Sequence, residues 1–88
     1  MRDKILKLYK YRCIRCKRKS NTVHEIRPKS LVIDWETMDN MVVLCNDCHE
    51  KVHSGGAMNF YDELHTIQEH TLIAYYGTSD YRHIFERL

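Results

Sequence analysis

Four cysteines and a spaced set of histidines carry the chemistry available to this 88-residue chain. Cys13-Ile-Arg-Cys16 and Cys45-Asn-Asp-Cys48 are two CxxC units with 28 residues between them. A two-residue spacer lets a tight turn aim both thiolates at one metal. Two such units complete a tetrahedral cage, the donor set of a closed structural zinc site. The alternatives are two disulfides or four free thiols. Met1-Arg2-Asp3-Lys4 leads into alternating charges without an apolar signal segment, so a reducing cytosol is expected, where disulfides do not persist. Free thiols leave the paired spacing unexplained. A second set of ligand-type residues consists of His24-Glu25, Asn40, His49 and His53. His49 and His53 are four apart and would share one helix face. With His24 brought over that face, the histidines would form a second, open metal site on a scaffold held by the first.

These residues need elements to position them. Ile5, Leu6, Leu8 and Tyr9 predict a short helical approach to Cys13. Lys17-Arg18-Lys19-Ser20-Asn21 closes a polar knuckle after Cys16. Thr22 to Ile26 alternates as a strand does, and Pro28 breaks the pattern. Leu31-Val32-Ile33 is an apolar run of either type. Asp39-Asn40 reads as a turn before a second strand, Met41 to Leu44. A helix follows, with Asn46 or Asp47 near its cap, and it ends by Ser54, Gly55 and Gly56. Knuckle, hairpin and a ligand-bearing helix make the treble-clef arrangement, in which the helix dipole helps to hold the sulfurs deprotonated. Asn59 is a candidate cap for the next helix, in which Met58, Tyr61, Leu64, Ile67 and Thr71 describe one buried face and Gly77 is the stop. Thr78, Ser79 or Asp80 would cap a last helix carrying Tyr81, Ile84, Phe85 and Leu88. His65, His70 and His83 in these helices read as ordinary surface or interface residues, and Trp35 as packing.

Composition narrows the class. The chain is 43% apolar and 30% charged, the size of one small domain. The zinc core would span about 10–54 and a helical extension 57–88. A core this small is marginal, and a bound metal substitutes for part of it. No run is long enough to cross a membrane. The net charge of +2 hides an asymmetry, since residues 1–30 sum to +9 and residues 31–88 to −7. A half this basic points to a polyanion, most simply nucleic acid.

The ordered set Cys-x-x-Cys, Val-His-Glu-Ile-Arg-Pro, and Asp-Asn-Met-Val-Val-Leu-Cys-x-x-Cys-His-x-x-x-His resembles the HNH endonucleases, whose active site is the ββα-metal fold. The resemblance covers about residues 13–53. His24 to Asn40 is 16 positions, Asn40 to His49 is 9, and His49 to His53 is 4. The fold this implies is α+β, a ββα-metal core with a short N-terminal helix and additional C-terminal helices. The activity it implies is metal-dependent hydrolysis of phosphodiester bonds in DNA. His24 and His49 would ligate a catalytic divalent ion. His53 would be a further ligand or a phosphate contact. Asn40 would brace the loop between the strands. Cys13, Cys16, Cys45 and Cys48 would hold the structural Zn²⁺.

Glu25 departs from the family pattern, which places at this position the histidine that activates water. A carboxylate (reference pKa ~4.3) is a weaker base than imidazole (~6.5). Glu25 is therefore the base of a variant site, a metal ligand, or the mark of a site that binds with little or no cleavage. The histidine-rich donors suit Zn²⁺, Ni²⁺ or Mn²⁺ better than Mg²⁺. Lys17, Arg18, Lys19, Arg27 and Lys29 are candidate phosphate contacts, which carry affinity rather than sequence. No base-reading element is visible, so low or modest sequence specificity is expected. The implied partner is DNA, with a second copy of the chain or a phage packaging component as further candidates. No membrane and no small organic cofactor are expected, and the implied location is the cytoplasm, that of a bacterial host if the chain is phage-encoded. The competing reading is a zinc-stabilised module that binds nucleic acid without cutting it.

Overall fold

The computed structural model describes residues 2–27, 40–54 and 60–87, without the side chains of His53 and Tyr81. Expectations for Pro28, Lys29, Leu31 to Ile33, Trp35, Asp39, Gly55, Gly56, Met58, Asn59 and Leu88 lie outside the described residues. The elements run α1 (Arg2–Leu8), β1 (Val23–Glu25), β2 (Met41–Val43), α2 (Asn46–Ser54), α3 (Tyr61–Tyr76) and α4 (Tyr81–Glu86). The fold is α+β, and β1, β2 and α2 supply the ββα unit.

Helix α1 buries Ile5, Leu6 and Leu8, and Tyr9 just beyond it has no exposed surface. The helix closes with two backbone bonds, Tyr11 N–H to the Leu6 carbonyl (2.8 Å) and Lys10 N–H to the Lys7 carbonyl (3.0 Å). This is the Schellman pattern, which needs a left-handed residue at the position of Lys10. Lys10 adopts it, with φ 57°.

The strands β1 and β2 pair antiparallel in the register Val23–Val43, His24–Val42 and Glu25–Met41. All three residues of β2 are buried, whereas β1 is half-buried throughout. Helix α1 packs against both strands and against α4. The core joins Ile5, Leu8, Ile14, Val42, Val43, Leu44, Leu64 and Leu72. Each such side chain stabilises the fold by about 1.5–3 kcal/mol when fully buried.

Helix α3 ends at Gly77, whose φ of 77° provides the left-handed cap, and Gly77 N–H bonds the Ile73 carbonyl. The chain then turns into α4, where the Asp80 carboxylate accepts from His83 N–H at 3.4 Å. That bond places the cap of α4 on Asp80, one of the three residues the sequence offered. Gln68 in α3 is fully buried. Its Nε2 donates to the Tyr9 hydroxyl at 3.0 Å, and its Oε1 lies 3.2 Å from His65 Nδ1. The Tyr76 hydroxyl donates to the Leu8 carbonyl. These polar contacts pin α3 to the end of α1. No helix among the described residues is long and apolar enough to cross a membrane.

Candidate functional site

The first CxxC unit sits in a knuckle built from local hydrogen bonds. Cys13 N–H donates to the Arg18 carbonyl (2.8 Å), Lys17 N–H to the Cys13 carbonyl (3.0 Å) and Ser20 N–H to the Tyr11 carbonyl (2.9 Å). Arg12 and Lys19 form a bridge across it. Ile14 N–H reaches the Val43 carbonyl at 2.9 Å, which attaches the knuckle to β2. The turn requires a left-handed residue after Cys16, and Lys17 fills it with φ 68°. Lys17 Nζ then donates to the Ile14 carbonyl (2.9 Å) and to Thr71 Oγ1 on α3 (3.0 Å).

The second unit straddles the start of α2. Cys48 N–H points at Cys45 Sγ (3.4 Å), and His49 N–H bonds the Cys45 carbonyl (2.9 Å). The Cys45 sulfur thus takes the capping position that the sequence suggested for Asn46 or Asp47. Arg15 and Cys16 N–H groups point likewise at Cys13 Sγ, at 3.4 and 3.5 Å. All four sulfurs lie within 4.8 Å of one another, and Cys16 and Cys45 are 3.4 Å apart. A disulfide needs about 2.05 Å, and the four cysteines are free thiols. Metal–sulfur bonds of ~2.3 Å from one tetrahedral ion fit this spacing. The tetrad can therefore hold a metal ion.

Burial raises the Cys48 thiol to about 12, with the neighbouring sulfurs adding to it, and also raises that of Cys16. Burial acts in the same direction on Cys13, but N–H groups of Cys16, Cys45 and Arg15 outweigh it and bring that thiol down to about 7.

The histidines converge from different elements. His24 in β1 and His49 in α2 stack face to face, with ring centroids 3.6 Å apart and planes 15° from parallel. Two metal–nitrogen bonds of ~2.0 Å at a tetrahedral angle set their nitrogens ~3.3 Å apart. The two imidazoles are thus neighbours, and to share one ion they would have to turn out of the stack so that their in-plane lone pairs converge. His53 lies on α2, four residues beyond His49. Among the described residues, the cysteine tetrad is the one group of three or more ligand-type side chains close enough to hold an ion. Glu25 thus does not complete a ligand set with His24 and His49. It ends β1, opposite Met41, and consecutive strand residues face opposite sides.

Asn40 lies at the foot of the hairpin and is 7% exposed. Its Oδ1 accepts from Arg27 N–H and its Nδ2 donates to the Arg27 carbonyl, both at 2.9 Å. The Asn40 carbonyl accepts from Ile26 N–H at 2.8 Å. One side chain thus imitates a strand partner and locks the exit of β1 to the entry of β2, next to His24 and Glu25.

The basic residues divide by environment. Arg18 and Asp47 form an exposed ion pair at 3.0 Å, an interaction of little net stability that a phosphate can displace. Lys19 is exposed. Arg27 is exposed, and its guanidinium stands 5.0 Å from the ring centre of buried Tyr61. The Lys17 ammonium is directed inward, as described. Lys29 lies outside the described residues. Arg15 is not singled out by sequence as a site residue, and Tyr61 reads there only as part of the buried face of its helix. Arg15 approaches Glu63 (3.7 Å) and the Phe60 ring (5.7 Å), so the start of α3 touches two arginines of the basic half. The pairing of a basic N-terminal half with an acidic C-terminal one was the available signal.

Residues 13–55 match the family model of the HNH endonucleases. No curated protein and no solved structure matches the chain.

Proposed function

With residues 13–55 carrying an HNH endonuclease domain, we propose that the protein is a metal-dependent endonuclease that hydrolyses phosphodiester bonds in DNA. The observation that carries the reading is the His24–His49 stack, which joins β1 to α2 on the hairpin whose base Asn40 clamps. A binding module has no need of two adjacent imidazoles presented from two elements.

In this reading Zn²⁺ occupies the cysteine tetrad and fixes the start of α2, and with it His49. His24 and His49 hold a catalytic divalent cation, with His53 as a third donor or a phosphate contact. When bound, that ion neutralises charge developing on the phosphate and the leaving oxygen. Glu25 accepts a proton from the attacking water. A new P–O bond forms, the bond to the 3′ oxygen breaks, and that oxygen takes a proton from solvent. The base role rests on the family position of Glu25 alone, since alternation along β1 turns its side chain away from the strand face that carries His24. Arg18, Lys19 and Arg27 contact phosphates and carry no sequence information, which supports low specificity. Asn40 is a positioning residue, since it reaches the site through the backbone of Arg27.

The test is plasmid cleavage by the zinc-loaded protein with Mg²⁺, Mn²⁺, Ni²⁺ or further Zn²⁺ added in turn. Cleavage by wild type that is lost in His24→Ala supports the nuclease. Salt-sensitive DNA retention without cleavage under any metal replaces it with the binding module.

A further inference from the structure

The exposed aromatic residue Tyr11 lies outside the stacked histidines, the tetrad and the clamp. It is 45% exposed, while Tyr9 two positions earlier is fully buried. Its backbone has φ 56°, directly after Lys10 at 57°. The Schellman closure of α1 accounts for Lys10 but requires no left-handed residue at Tyr11. A bulky aromatic in this region is strained, and strain held at the surface is found where a side chain must be presented. Tyr11 lines a shallow groove with Lys19, Ser20 and Asn21, none of them acidic. Arg2 Nη2 donates to the Asn21 carbonyl at 2.5 Å, which places a guanidinium on the same rim. Arg12 faces Lys19 across the bridge of the knuckle.

An exposed ring among cations, with no acidic residue in the lining, matches a strand of nucleic acid with accessible bases. The cations follow the phosphates, and the aromatic face accepts a base whatever its identity. In a duplex the bases are stacked on each other and unavailable to such a ring. We propose that the Tyr11 groove binds unpaired DNA, with a base stacked on the Tyr11 ring and the strand held by Arg2 and Lys19. The groove would thus give the domain a preference for DNA with single-stranded or frayed stretches. The inference rests on DNA as the ligand of the domain.

The experiment measures fluorescence anisotropy of a single-stranded oligonucleotide and of its duplex with zinc-loaded protein, without a catalytic ion. Cleavage therefore does not enter the readout. Tyr11→Phe keeps the ring and binds the single strand as wild type does. Tyr11→Gly removes the ring and relieves the left-handed backbone, so it binds the single strand about tenfold more weakly. Its duplex affinity stays within about twofold, and its Tm equals or exceeds that of wild type. Unchanged single-strand affinity overturns the proposal, as does an equal loss on both ligands. A lowered Tm alongside the loss assigns the ring to packing and overturns it too. Wild type that binds neither oligonucleotide overturns DNA as the ligand, and with it the functional reading.

Discussion

The imidazoles of His24 and His49 lie parallel at 3.6 Å although 25 positions of sequence separate them. The contact exists because β1 pairs with β2 and β2 leads into α2, so the end of the hairpin and the first turn of the helix share one place. Under the proposed function the two imidazoles serve one ion and so act as a unit. His24→Ala and His49→Ala should each abolish most cleavage, by about a hundredfold or more, and the double variant should be little worse. Single-turnover plasmid cleavage by the three variants checks this. Fully additive losses would count against a shared ion.

Glu25→Gln removes the proposed base while keeping size and hydrogen-bonding capacity. The expected loss in cleavage is about 10²–10⁴-fold, with the affinity for the second divalent ion unchanged. Calorimetric titration of Mn²⁺ into zinc-loaded wild type and variant makes the comparison. Weakened Mn²⁺ binding would return Glu25 to the ligands.

Asn40→Ala removes a buried side chain and leaves the part-buried Arg27 N–H and carbonyl without their side-chain partner. It should destabilise the protein by about 1–3 kcal/mol. Asn40→Asp keeps the acceptor for Arg27 N–H but sets a carboxylate oxygen against the Arg27 carbonyl, so it should be no milder. Urea unfolding of the zinc-loaded proteins gives both values.

A metal held by the tetrad would be bound by thiolates, and desolvation raises the Cys16 and Cys48 thiols, Cys48 to about 12. The metal must displace those protons. Affinity therefore rises with pH and falls as the solution is acidified. Competition against a chromophoric zinc chelator along a pH series measures the slope. A flat profile would contradict the proton count. Full removal of the ion should unfold the knuckle and the first turn of α2, seen as lost helical circular dichroism.

Lys17 occupies a left-handed position and ties the knuckle to α3 through Thr71. Lys17→Ala loses the tie and keeps the strain, whereas Lys17→Gly loses the tie and removes the strain. The glycine variant should be the more stable of the two by about 1 kcal/mol. Thermal unfolding of the pair reads the difference, and equal stabilities would mean the backbone there is unstrained.

Features that depend on neighbours in sequence are legible in the sequence itself. The two CxxC units, the strands around Val23–Glu25 and Met41–Val43, the helix from Asn46 and the stop at Gly77 each follow from spacing, periodicity or backbone freedom within a few residues. The capping of α2 by the Cys45 sulfur was less visible, because a cysteine is not a usual cap and acts here through a geometry set by the knuckle. Gln68 gave no signal at all. It reads as a polar residue beside the apolar stripe, and it is buried only because Tyr9, 59 positions away, supplies a partner for its amide. Lys17 reads as one more surface cation, yet Thr71 and the Ile14 carbonyl draw its ammonium inward. Sequence by itself determined which side chains could hold metal and which segments could carry them, since those properties belong to residue type and local spacing. Tertiary structure alone decided that His24 meets His49, that Asn40 locks onto Arg27 and that Tyr11 is left exposed, because each depends on hairpin pairing and helix packing between residues that are not neighbours in sequence or, for Tyr11, on what the packing leaves uncovered.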